Sequence, residues 1–380
     1  MSIVVEGIGR TKFGILPQET LSSLIEKAAK SALLDANLTI DKIDCVVVSN
    51  FLGGILQNQL HLNSIFSTIF PEYTGESLRV ESACASGGVA IGTAVRMLKE
   101  HKTTLVVGVE KMTGFSAPET TKAVAAAGSV DFDQANGLIF PGAYALVAGA
   151  HMNKYGTTLE DLARVSLKNH ANANLNELAH FFHKKVSLEQ IRNAAIIASP
   201  LRLFDCSPVS DGAAALIITN KPPKKGEIII SASALSTDTI TLARRSSFVS
   251  FPAAKRAAQT AYLQAGTNPR EIDLFEVHDC FTIAELVAME DVGICKPGEA
   301  AKLVRARETE LSGKFPINSD GGLKADGHPI GATGGGQVFE IVQQLRNRAG
   351  KRQIDGVKKA LAHNVGGVGG TCAVHILEVF

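Results

Sequence analysis

The chain repeats itself, and that restricts the folds open to it more than any single motif. Residues 27–50, KAAKSALLDANLTIDKIDCVVVSN, align without a gap on residues 256–279, RAAQTAYLQAGTNPREIDLFEVHD. Eight of those 24 positions are identical: Ala28, Ala29, Ala32, Leu34, Ala36, Ile43, Asp44 and Val48 each meet their match 229 positions later. Alanines recur in unrelated helices, so the weight falls on the shared turn, the Ile-Asp pair and the strand that follows. Strands are predicted near 2–10, 45–50, 78–83, 104–110 and 213–219, and again near 227–236, 274–278, 316–320, 359–364 and 372–379. CVVVSN and TLVVGVE are continuous apolar runs, the pattern of strands covered on both faces, with helical stretches between several of them. The expected fold is α/β: two duplicated units packed into a layered core of helices and sheets. The expected domains are residues 1–111 with 200–225, a helix-rich inserted lobe at 112–199, and a second unit at 226–380. In that lobe Thr158 and Ser187 are the predicted N-caps of helices.

Composition narrows the function. With 38 basic and 37 acidic residues, the 380-residue chain lacks the excess charge of a general binder of nucleic acid or anionic membrane. No apolar run approaches the roughly 18 residues of a membrane span. The opening MSIVVEGIGR does not read as a secretory signal. Six cysteines, none at CxxC spacing, suit neither a disulfide scaffold nor a structural zinc site. A cytoplasmic protein with reduced thiols is expected.

Four segments carry reactive side chains. LRVESACASGGVAIG places Cys84 where a strand gives way to a helix of small residues, whose free N–H groups and partial positive charge would lower a thiol pKa. The alternative is a core cysteine among alanines. EVHDCFTIAEL sets His278, Asp279 and Cys280 at the matching junction of the second unit, with His278 level with Ser49. A structural reading would make Asp279 an N-cap and His278 a satisfied turn residue. In NSDGGLKADGHPIGATGGGQ, His328 opens a glycine-rich helix about where Cys84 opens its own. No Gly-Lys-Ser/Thr follows, so close packing of two helix starts across a pseudo-twofold axis explains the glycines better than a phosphate cradle. That packing would point Cys84 and His328 at one another. Finally, LAHNVGGVGGTCAV places His363 and Asn364 before a glycine turn, either a tight hairpin or a presenter of N–H groups to an anion.

Taken in order, ESACASGG, DCSPVSDGAAA, HDCF, GHPIGATG and HNVGGVGG resemble the signature segments of the thiolases and span essentially the whole chain. HDCF stands where most thiolases carry Asn-Glu-Ala-Phe, which resembles the sterol-carrier-protein type. His363-Asn364-Val365 takes the place of the usual Cys-x-Gly. The resemblance implies an acyl-transfer enzyme working between thioesters: Cys84 as nucleophile, His328 as its base, and Cys280 as the second acid/base. It further implies a first oxyanion hole of His278 and His328, and a second made by the Cys84 N–H with that of Val365 or Gly366. Acyl-CoA substrates, no metal, no further cofactor, and a homodimer or dimer of dimers follow from the same resemblance. Two positions depart from it: Ala254 stands for a serine near the pantetheine arm, and Tyr144 for a histidine of the inserted lobe. The rival readings are a decarboxylating ketoacyl-synthase-like enzyme, which has no use for Cys280, and a non-catalytic scaffold subunit, which has no use for any of these side chains.

Overall fold

The computed structural model describes residues 2–380. Its strands are β1 (Ile3–Arg10), β2 (Cys45–Ser49), β3 (Glu76–Val80), β4 (Thr103–Glu110), β5 (Ile196–Ala198), β6 (Leu201–Arg202), β7 (Gly212–Asn220), β8 (Ile228–Thr237), β9 (Leu274–Glu276), β10 (Lys359–Gly366) and β11 (Thr371–Val379). Nine of them run in the order β3-β2-β4-β7-β1-β8-β11-β10-β9, while β5 and β6 pair apart. The order is that of one half followed by its mirror, joined through the single pair Val4–Ile229. Register repeats as faithfully. Cys45 faces Thr104 as Leu274 faces Ala360, Thr103 faces Thr219 as Lys359 faces Glu378, and Ile3 faces Asn220 as Ile228 faces Val379.

Continuous apolar runs produce this because each half-sheet is covered on both sides. All five residues of β2 are buried. Helix Leu21–Ala36 packs on β1 and β7, and helix Pro252–Ala265 on β8 and β11. Between the half-sheets lie helices Ser86–Met97 and Thr333–Leu345, which touch each other and strands of both halves. The layers therefore run helix, sheet, helix, sheet, helix. Ile91 and Val338 are fully buried in the same central cluster; each such aliphatic contributes about 1.5–3 kcal/mol. The two central helices meet on glycine. A Cβ on Gly87 would lie 2.7 Å from Gly334 N, and one on Gly334 would lie 2.3 Å from Gly88 N. Close approach explains these glycines, as the sequence suggested.

The predicted strand at 316–320 is not formed; a lone bridge between Phe275 and Ile317 holds its place. Asn318 adopts φ 56°, which ends the extended run. Its Oδ1 accepts the Val277 N–H at 2.8 Å and so replaces the next ladder bond. Between β4 and β7 the chain is mostly helical, and Thr158 and Ser187 both cap helices through reciprocal capping boxes. Helix Phe140–Tyr155 from this stretch contributes Tyr144, and helix Leu159–Ala173 contributes Lys168 and Asn169 to the packing behind β9. Among the described residues no helix is long and apolar enough to cross a membrane.

Candidate active site

The junction after β9 and the loop that opens helix Thr333–Leu345 converge on Cys84, which follows β3 in the first half. The thiol follows β3 at the apex of a tight turn in which Ala83 takes φ 50°. Ser86 braces that turn, its Oγ accepting from Ser82 N at 2.9 Å and donating to Ala83 O at 2.6 Å. One donor atom each from Cys84, His278 and His328 lies within 4.8 Å of the other two. The two imidazole rings stand edge to face, centroids 5.2 Å apart. All three residues are buried, and the Nε2 atoms of both histidines lack a hydrogen-bond partner.

Their tautomers follow from what holds Nδ1. The Thr333 hydroxyl donates to Pro329 O at 3.1 Å, so its oxygen accepts the Nδ1–H of His328 at 2.7 Å. His328 therefore presents a lone pair on Nε2. At His278 the case is reversed. Asn364 Oδ1 accepts from Gly88 N at 3.0 Å, which fixes its amide, and its Nδ2 donates to His278 Nδ1 at 3.2 Å. The His278 proton therefore sits on Nε2. One ring offers a base and the other a donor, and both rings lie beside the Cys84 sulfur. A thiol and two imidazoles are also ligands zinc accepts. Turning His278 Nε2 into a ligand, however, would set its Nδ1–H against the Asn364 amide, donor against donor.

Cys280 follows β9 and is buried. Burial, and next the nearby Cys84 sulfur, push its thiol well above the ordinary range. The neighbouring Asp279 is not the N-cap of helix Thr282–Asp291; Phe281 holds that place with no side-chain cap. Asp279 instead accepts from Leu323 N at 2.7 Å and Asn169 Nδ2 at 2.6 Å, anchoring the loop that leads to His328. Nor is His278 a satisfied turn residue, given its free Nε2.

Val365 and Gly366 end β10, and the N–H of Gly367, next in the chain, favours a thiolate at Cys84. The chain turns there at φ 62°, one step past the ladder. The Cys84 pKa is not lowered: burial pushes it up to about 12, against the opposing pull of the Gly367 N–H. Burial likewise holds His328 down at about 3 and His278 well below its ordinary value, the latter also through the neighbouring His328 and His363. The resting pair is a neutral thiol beside a neutral imidazole. Thr333 was not singled out in the sequence, although a hydroxyl five residues after His328 at a helix start was there to be read.

The family model described as Thiolase, N-terminal domain matches residues 3–222, and that described as Thiolase C-terminal domain-like matches residues 234–379. The chain belongs to the thiolase family. It is 41% identical to the acetyl-CoA acetyltransferase of Methanothermobacter thermautotrophicus over 99% of both chains. It is 32% identical to sterol carrier protein 2 of Bos taurus over 99% of this thiolase and 72% of that protein. Among solved structures, human mitochondrial 3-ketoacyl-CoA thiolase superposes with a TM-score of 0.74 at 21% identity, over 100% of this chain and 99% of that one.

Proposed function

We propose that this thiolase moves acyl groups between coenzyme A thioesters, making or thiolytically cleaving 3-ketoacyl-CoA through an acyl group on Cys84. The observation that carries this reading is the convergence on one buried thiol of two buried imidazoles, each with an unpartnered Nε2 and with opposite tautomers. His328 takes the proton of Cys84 as the sulfur attacks the thioester carbonyl, then returns it to the departing CoA sulfur. The free imidazole next takes the proton of Cys280. The Cys280 thiolate removes an α-proton from a second acyl-CoA, and the resulting enolate oxygen is held by the Nε2–H groups of His278 and of the now protonated His328. The enolate carbon attacks the acyl-Cys84 carbonyl, whose oxygen faces the N–H groups of Cys84 and Gly367. The carbon–sulfur bond breaks, 3-ketoacyl-CoA departs, and His328 reprotonates Cys84. The α-proton remains on Cys280, so two acyl-CoA molecules give one 3-ketoacyl-CoA and one free CoA with no proton unaccounted for. A thiolate is a weak base for such an α-carbon, which is why the two imidazole donors are essential.

The expected working state is a homodimer, and β3, which ends the sheet order, leaves one edge unpaired for a second copy; light scattering in solution tests it. The catalytic reading is tested by intact-protein mass spectrometry after brief exposure to acetyl-CoA. An acetyl adduct on Cys84, removed by free CoA, is expected. A Cys84 left unmodified by every acyl-CoA tried defeats the reading. A Cys280→Ala variant that still condenses acetyl-Cys84 with malonyl-CoA at the full wild-type rate would move the enzyme to the decarboxylating class.

A further inference from the structure

Asn364 has no acid, base or nucleophile of its own, yet it decides what kind of site Cys84, His278 and His328 make. It is buried near the end of β10, against the starts of the two central helices. A Cβ on Gly88 would lie 3.0 Å from its Oδ1, and one on Gly334 would lie 2.8 Å away, so the two glycines leave the amide the room it fills. That oxygen accepts the Gly88 N–H at 3.0 Å, one of the donors that the first turn of helix Ser86–Met97 leaves without a partner in the helix. Nδ2 is thereby turned to His278 Nδ1 at 3.2 Å, and an NH2 group there can do nothing but donate. A carboxylate has the same shape and would suit a helix start better, because negative charge is favoured there. It would also accept from His278 Nδ1–H, and the ring would then carry a lone pair on Nε2. One donor atom from each of Cys84, His278 and His328 lies within 4.8 Å of the other two, and Nε2 is the nitrogen each ring has unpartnered. A thiolate with two imidazole lone pairs, one imidazole backed by a carboxylate, is an arrangement in which proteins hold zinc.

We infer that Asn364 is a positioning residue that keeps His278 a hydrogen-bond donor and thereby keeps the Cys84–His278–His328 cluster from closing on a thiophilic divalent cation. Its enolate half rests on the proposed thiolase reaction; its metal half rests on the geometry alone. One group, NH2 in place of oxygen, separates the two uses. In the Asn364→Asp variant the His278 proton moves to Nδ1, facing the new carboxylate. A cation then takes Nε2 of both rings and the Cys84 sulfur, whose proton leaves to solvent.

The test is titration of wild type, N364D and N364A with cobalt(II) chloride, read by the thiolate-to-cobalt absorption band. N364D is expected to bind one cobalt per chain about 10–100-fold more tightly than wild type. Bound metal should shield Cys84 from iodoacetamide until EDTA is added. N364A frees His278 Nδ1 from the amide without supplying a carboxylate, and its affinity should fall between the two. In EDTA at about pH 8.5, above the imidazole range, N364D should lose about 10²–10³-fold in condensation of acetyl-CoA, the cost of one donor to the enolate. Acetylation of Cys84 should change far less. A merely structural role lowers both steps and brings no cobalt band. A wild type that binds cobalt through Cys84 as tightly as N364D overturns the inference. If N364D does not fold, an N364A that binds cobalt no more tightly than wild type overturns it equally. A wild type that never acetylates Cys84 overturns the underlying reaction by itself, since the titrations need no substrate.

Discussion

The two halves carry equivalent junctions after β2 and after β9 and put them to opposite uses. In the first half the side chains of Ser49 and Asn50 at the junction are hydrogen-bonded. Ser49 Oγ donates to Gly331 O at 2.7 Å, and Asn50 Nδ2 reaches Val109 O and Glu110 Oε1 at 2.9 and 2.8 Å. The Glu110 carboxylate gathers the N–H groups of Phe51, Leu52 and Gly331. In the second half His278 stands at the level of Ser49 and keeps a buried Nε2 with nothing to bond. The duplicated backbone thus supplies two matching platforms. One is closed by hydrogen bonds that hold the halves together; the other is left open toward Cys84. The proposed chemistry sits where the symmetry of the hydrogen bonding is broken.

Substitution on the open side should stop the reaction while leaving the fold alone. His328→Ala removes the base of both half-reactions, so the rate of CoA release on acetylation of Cys84 should fall about 10²–10⁴-fold. Stopped-flow detection of free thiol measures it. A fall of less than tenfold would mean that the lone pair on Nε2 is not the base. His278→Ala removes one donor to the enolate and should cost about 10²–10³-fold in condensation. Acetylation of Cys84 should change far less, because that step uses the backbone N–H groups. Equal losses in the two steps would show that His278 is needed for the shape of the site and not for the enolate.

How much of this was legible in the sequence depends on what each residue contributes. Cys84, His278, Cys280 and His328, the residues of the proposed reaction, were readable because a reactive side chain can be recognised in a sequence and because the repeat shows where the two halves correspond. Gly367 was not, since any residue carries an N–H and its aim depends on where the β10–β11 ladder ends and the chain turns. Thr333 and Asn364 act by fixing which nitrogen of a histidine bears the proton. That role appears only when the Asn364 amide is seen pinned by Gly88, 276 residues away in sequence. The strand lost at 316–320 was a misreading of another kind, because the Asn318 side chain there does what a backbone group does in the first half.

The protonation state of the open side has its own signature. Burial pushes the Cys84 thiol up to about 12 and His328 down to about 3, so a neutral thiol beside a neutral imidazole is the expected resting pair at ordinary pH. Below its pKa, the thiolate fraction of a lone thiol rises tenfold with each unit of pH. Alkylation of Cys84 by iodoacetamide should therefore climb about tenfold per pH unit from 6 to 9 without levelling. A pre-formed ion pair would give a plateau across that range, and a plateau would return the helix start to the role the sequence suggested for it.

On the closed side the expected effect is smaller and of a different kind. Ser49→Ala deletes the bond to Gly331 O and leaves that carbonyl buried, at a cost of about 1–3 kcal/mol. Denaturant unfolding should show this as a lower midpoint with an unchanged slope. The rates of Cys84 acetylation and of condensation in the folded enzyme should stay within about twofold of wild type, which is the sharper half of the expectation. Gly331 lies three residues after His328, so a loosened carbonyl has a short path to the proposed base. If Ser49→Ala slows acetylation as much as it destabilises the fold, the two junctions are not divided between holding and reacting. The first half would then be setting the position of His328 directly.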